Sequence, residues 1–135
     1  MSLKSIIGNR AIDVSPSPIG EDEFGMVELY LEAKLGDELK EYLVEYGYIG
    51  YNFVEMFGVN SKMGARSSMI KKTMYLHENY KQTQGLIAVE DQGDGDYYLV
   101  DENDKVYRFL QSREELTDIG CDLYTYISDR LAQAD

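Results

Sequence analysis

Apolar positions along the chain fall into short amphipathic runs punctuated by glycine and aspartate. The opening stretch follows neither helical nor strand periodicity, because Ser15-Pro16-Ser17-Pro18-Ile19-Gly20 resists helix and sheet pairing alike. Residues 1–20 therefore read as an N-terminal arm, with Leu3, Ile6, Ile7, Ile12 and Val14 available to lay it against the body. From Glu21 the spacing turns helical: Phe24, Val27, Leu31 and Leu35 recur near one turn, acidic Glu21, Asp22 and Glu23 suit a helix N-terminus, and Gly36 ends the run. Asp37 is placed to cap a second helix with Leu39, Tyr42, Leu43 and Tyr46 facing inward and Gly47 as its stop. Residues 49–59 are aromatic and β-branched but broken by Gly50 and Gly58, which predicts one or two short strands. Ser67 or Ser68 opens a third helix carrying Ile70, Met74 and His77 on one side and Met69, Thr73 and Leu76 on another, running out near Tyr80.

The second half alternates as strands do. Residues 86–90, 96–100 and 106–109 predict three antiparallel strands, joined by the turns Gly93-Asp94-Gly95 and Asp101-Glu102-Asn103-Asp104. Tyr97 and Leu99 then share one face and Tyr98 and Val100 the other, so both faces of the meander are at least partly covered. Leu123, Ile127 and Leu131, flanked by Tyr124, give a last helix one face to bury on the sheet. The fold class is α+β: residues 21–135 form one domain, a central antiparallel sheet with helices packed around it.

Size and composition narrow the functional classes. With 135 residues and 44% hydrophobic content, the chain buries a core without staples. Its apolar stretches are far shorter than a membrane span needs, and no secretory signal opens it, which leads us to expect a cytosolic protein. One cysteine, Cys121, excludes an internal disulfide, and one histidine, His77, leaves no multi-histidine metal or catalytic centre within one copy. The net charge of −12 argues against nucleic-acid or anionic-lipid surfaces and favours a basic partner.

That charge is clustered. Residues 90–104 hold Glu90, Asp91, Asp94, Asp96, Asp101, Glu102 and Asp104 without one Lys or Arg, and two adjacent loops of the meander would bring most of them before a single partner. Turn chemistry and edge solubility offer a plainer account of the same residues. As a calcium loop, frames starting at Asp91, Asp94 or Asp101 all fail, with glycines, Tyr98 or Lys105 where oxygen ligands belong. No metal or other cofactor is expected. Paired carboxylates of a glycosidase cannot be placed from sequence, and Gly93 and Gly95 sit among carboxylates that repel phosphate. Cys121, beside Asp122, and His77 read as structural.

The order of local words resembles a known family, the SUKH (SMI/KNR-like) superfamily of bacterial toxin-immunity proteins, which also includes a fungal cell-wall regulator. The resemblance rests on Leu35-Gly36-Asp37-Glu38-Leu39-Lys40-Glu41-Tyr42-Leu43 followed by Tyr46-Gly47, on Phe57-Gly58-Val59, and on Gly85-Leu86-Ile87-Ala88-Val89-Glu90-Asp91. Above all it rests on Gly95-Asp96-Tyr97-Tyr98-Leu99-Val100-Asp101, followed by Lys105-Val106-Tyr107-Arg108-Phe109 and the last helix. The resemblance implies a non-enzymatic α+β domain that binds and neutralises a protein toxin, often a nuclease. A regulatory adaptor is the alternative. Glu90, Asp91, Asp94, Gly95, Asp96, Asp101, Glu102 and Asp104 are the candidate partner-binding residues.

Overall fold

A computed structural model describes residues 1–60 and 64–135. The elements run α1 (Leu3–Ile7), α2 (Phe24–Leu31), α3 (Asp37–Glu45), β1 (Ile49–Tyr51), β2 (Val54–Met56), α4 (Met69–Asn79), β3 (Ile87–Asp91), β4 (Asp96–Val100), β5 (Lys105–Leu110), β6 (Glu115–Asp122) and α5 (Leu123–Ala134). Strands β3 to β6 form a four-stranded antiparallel meander in sequential order, and β1 and β2 form a separate hairpin. A hydrogen bond from the Phe57 amide to the Val89 carbonyl, 2.8 Å, links the chain after β2 to β3. The fold is α+β with helices around a central antiparallel sheet, as the pattern predicts.

Both faces of the meander are covered. On one, Tyr97 and its cross-strand neighbour Phe109 are buried, Phe109 packs on Tyr80 at 4.9 Å between centroids, and Tyr80 meets Tyr75 of α4 edge-on. On the other, Tyr98 stacks on Tyr126 of α5 at 5.1 Å. Such aromatic pairs add about 0.5–1.5 kcal/mol beyond their buried area. Helix α3 is anchored by Tyr42, fully buried, whose hydroxyl donates to the Phe57 carbonyl at 2.6 Å.

Three elements differ from the sequence pattern. Helix α2 stops at Leu31 rather than Gly36, because Glu32 turns left-handed (φ 51°) and the buried Leu35 leaves the helical path. A fourth strand, β6, extends the sheet. Its sequence, Glu-Leu-Thr-Asp-Ile-Gly-Cys-Asp, is mostly exposed and shows no buried alternation, since an edge strand of acidic residues is protected against stray pairing rather than filled with apolar side chains. Cys121 belongs to this strand, and Asp122, not the cysteine, caps α5. Within residues 1–20, Leu3–Ile7 is helical, with Ser2 and Ser5 in a reciprocal cap. Leu3, Ile6 and Ile7 are buried and α1 packs on α5, while Val14 is exposed. Arg10 grips Asp135 through two bonds of 2.9 and 2.7 Å.

The sheet and α5 are pinned by a buried ion pair. Glu90, 1% exposed, receives both Nε and Nη2 of Arg130 at 2.8 Å and the Tyr126 hydroxyl at 2.5 Å. Burial beside this carboxylate raises the phenol pKa of Tyr126. Removing one partner strands a charge in low dielectric, so Arg130→Leu is expected to cost about 3–5 kcal/mol, read from the urea midpoint at pH 7. Glu90→Gln combined with Arg130→Leu should recover part of that loss, because no formal charge then remains buried.

Candidate functional site

Successive hairpin turns of a meander alternate between the two ends of its strands. Strand β4 is five residues long, roughly 17 Å, so the two acidic turns lie that far apart instead of side by side. The convergence expected of the acidic block does not occur, and its members divide between two ends and the interior.

At the β3–β4 end, Asp91 Oδ1 accepts from the Gly93 amide at 2.8 Å, which shapes the turn, and Asp94 is exposed at φ 54°. Gly95 follows at φ 81°, so both central turn residues take the left-handed region that hairpin twist favours. A Cβ on Gly95 would also run into Gln111. The Asp96 carboxylate is not held by turn amides. It is paired bidentately with Arg108 on the neighbouring strand, at 2.7 and 3.2 Å, which neutralises it in place. Glu90 points into the fold toward Arg130 and presents nothing to a partner.

At the β4–β5 end, Asp104 also turns inward. It is 5% exposed, and its carboxylate accepts from the Glu38 and Leu39 amides at 2.9 and 3.1 Å, capping α3 from a turn some 65 residues away in sequence. The helix cap predicted for Asp37 therefore falls to Asp104: Gly36 holds the N-cap position with no side chain to offer, and a Cβ there would collide with the Asp104 carboxylate. Burial raises the Asp104 pKa, partly offset by those two amides. Asp101 shapes the turn, with Oδ1 accepting from the Asn103 and Lys105 amides at 2.9 and 3.0 Å and Oδ2 from the Tyr107 hydroxyl at 3.0 Å. Glu102 is exposed.

This second end gathers carboxylates that the sequence scatters. A shallow groove of about 350 Å³ is lined by Glu32, Ala33, Lys34, Gly85, Asp101 and Glu102. Glu32 sits at the C-cap of α2, where a carboxylate opposes the helix dipole and a non-glycine residue at φ 51° is uncommon. Sequence reasoning passed over Glu32 because nothing in a linear pattern joins it to a turn about seventy residues on. Glu38 was missed for the same reason. Its Oε1 accepts from the Tyr124 amide at 3.0 Å, and Asp122 and Asp104 lie close by.

Catalytic chemistry finds little footing. His77 Nε2 is 2.8 Å from the carbonyl oxygen of Leu86, the residue just before β3, a structural tie between α4 and the entry to that strand. Burial, followed by the charges of Asp129, Asp122 and Asp118, raises the Cys121 thiol pKa, away from a reactive thiolate. Among the described residues no group of three or more His, Cys, Asp or Glu side chains could hold a metal ion, and no helix is long and apolar enough to cross a membrane.

The Glu38 carboxyl is pushed up to about 7 by burial, opposed by the Tyr124 amide and reinforced by the neighbouring Asp122 and Asp104 carboxylates. A carboxyl raised above its unfolded value holds its extra proton only in the fold, so its contribution is fully present below about pH 4.5 and lost as pH rises to about 7. Glu38→Gln keeps the neutral form permanently. It is expected to match the parent protein at pH 4 and to exceed it by about 1 kcal/mol at pH 7.5, after allowance for solvent screening at this half-buried site. Urea unfolding at the two pH values checks this.

Comparison with known proteins returns one family. A match to the SMI1-KNR4 cell-wall family (SUKH_5) covers residues 5–132. No curated protein matches the chain. The match takes in the capped helix α3, the meander and all but the last residues of α5, so the elements that set the geometry of the acidic groove are family elements. The chain therefore belongs to the SMI1-KNR4 cell-wall family of the SUKH superfamily, a group of non-enzymatic adaptor and regulatory domains.

Proposed function

We propose that this protein is an immunity protein, a cytosolic, non-catalytic domain that binds and neutralises a basic toxin domain of nuclease type. The observation that carries the reading is the groove in which Glu32 meets Asp101 and Glu102, with Lys34 its only cationic lining residue. A nuclease must present Lys and Arg to a phosphate backbone, so carboxylates held at matching positions compete with the substrate in its own electrostatic terms. The remaining charge adds to the field: at −12 the molecule attracts a cationic domain over several ångströms before contact and repels nucleic acid and anionic lipid. A regulatory adaptor role is the second reading, favoured by the cell-wall association in the family's description.

Co-expression with the polypeptide encoded beside this gene tests the proposal. The neighbour should arrest growth when expressed alone and lose that effect when this chain is present; a harmless neighbour with no stable complex would leave the adaptor role instead. In the complex, Glu32→Gln, Asp101→Asn and Glu102→Gln combined should slow association about tenfold and flatten its salt dependence, since rim charges act on the encounter rate. Asp94→Asn, Glu114→Gln and Glu115→Gln together make an equal change of charge at the opposite end of the sheet. Equal slowing by the two triples would mean that only net charge matters.

A further inference from the structure

Helix α2 is apolar on two sides. Val27 and Leu31 point inward and are buried at 5% and 0% exposure, as expected of a surface helix packed on a core. The outward positions should then be polar, yet they are Met26, Leu29 and Tyr30, exposed at 61%, 79% and 57%. Three large apolar side chains at i, i+3 and i+4 make one stripe of roughly 400 Å², the scale of the largest patch on an ordinary monomer and a common mark of a binding surface. Elsewhere, exposed rings are partnered: Phe53 lies under Arg130, and the Tyr75 hydroxyl accepts from Gln111. For the α2 stripe there is no such contact among the described residues.

The surroundings define the occupant. Glu21, Asp22 and Glu23 stand exposed at one end of α2 and Glu32 at the other, and residues 21–32 contain no Lys or Arg. Two cations stand nearby, each engaged with the helix: Lys34 lies 3.9 Å from Glu28, and the Lys40 ammonium lies 5.6 Å from the centre of the Phe24 ring. A groove of about 420 Å³ along this face is lined by Gly25, Glu28, Leu29, Glu32, Ala33 and Lys34, and it shares Glu32, Ala33 and Lys34 with the acidic groove of the meander. The two grooves thus adjoin at the 32–34 bend. A second copy of this chain would bring −12 against −12, and an anionic membrane would be repelled, whereas a helix with an apolar stripe flanked by lysines or arginines satisfies both features at once.

We propose that Met26, Leu29 and Tyr30, within their carboxylate rim, dock a cationic amphipathic helix of the partner protein. This rests on the binding role proposed above and names the partner's chemistry, with one edge of its helix meeting Glu32 and the rest of the partner facing Asp101 and Glu102.

The probe is a synthetic Leu/Lys peptide about 18 residues long, five helical turns, with leucines at helical spacing and a fluorescent label; its control has the same composition in shuffled order. Titrations with the full chain near 0.15 M salt, where the Debye length is about 8 Å, suppress diffuse attraction. The periodic peptide is expected to bind at least about tenfold more tightly than the shuffled one, a difference of about 1.4 kcal/mol. Met26→Ser with Leu29→Ser should abolish that preference, and Leu29→Gln alone, at a largely exposed position, should weaken it with an unchanged urea midpoint. Equal binding of both peptides, or full binding by the Ser variant, would overturn the inference. So would a dimer seen by sedimentation and lost in the Ser variant, which would assign the face to a second copy. Because this assay uses no natural partner, its outcome is independent of whether the neighbouring gene encodes a toxin.

Discussion

The carboxylate of Asp104 is the joint on which this architecture turns. It ends the β4–β5 hairpin at φ 62°, caps the N-terminus of α3 through two amides, and its own carbonyl accepts the Leu123 amide that begins α5, at 2.9 Å. One residue therefore fixes a sheet turn and two helix starts relative to one another. Such a joint works only if the chain comes very close, which is why glycine stands at position 36. The groove beside it inherits its geometry from this contact, because Asp101 and Glu102 lead into Asp104 and Glu32 leads into Gly36.

An acidic composition is therefore serving two different ends. Glu90 and Asp104 are inside, where a carboxylate is tolerated only with its oxygen atoms fully engaged: one takes a guanidinium and a phenol, the other two helix amides. Asp96 is neutralised at the surface by Arg108. The exposed Asp94 and Glu102, the turn-forming Asp91 and Asp101, and Glu32 remain as the outward field. Counting acidic residues along the chain overstates what a partner meets, and the placement of each carboxylate decides its role.

Around the 32–34 bend, an apolar helix face and an acidic turn become neighbours. Apolar contact supplies affinity by desolvation, and charge supplies orientation and speed of encounter, so surfaces that join both are suited to selecting one protein partner among many. A family of non-enzymatic adaptor and regulatory domains is the setting in which such a surface makes sense, with the shared elements holding the bend and the side chains on either side free to differ.

How much of this was legible in the sequence follows from the range of each interaction. The helices with inward periodicity, the first three strands of the meander and the turn at Gly95 rest on neighbours within a few residues or on a repeating apolar face, and linear reasoning reaches them. Strand β6 escaped because it is an exposed edge strand whose side chains face solvent and need no apolar alternation, whereas β3, at the other edge, is buried and reads as an apolar run. The fate of the acidic block escaped for a different reason: Glu90 meets Arg130 across 40 residues and Asp104 meets Glu38 across 66, and only tertiary packing brings those partners together. The sequence by itself determined that the protein is acidic, α+β and built on a meander, since those properties sum over local composition and period. Which carboxylates face out, and that they share an edge with the bare side of α2, the tertiary structure alone decided, because burial and long-range hydrogen bonds are properties of position in space.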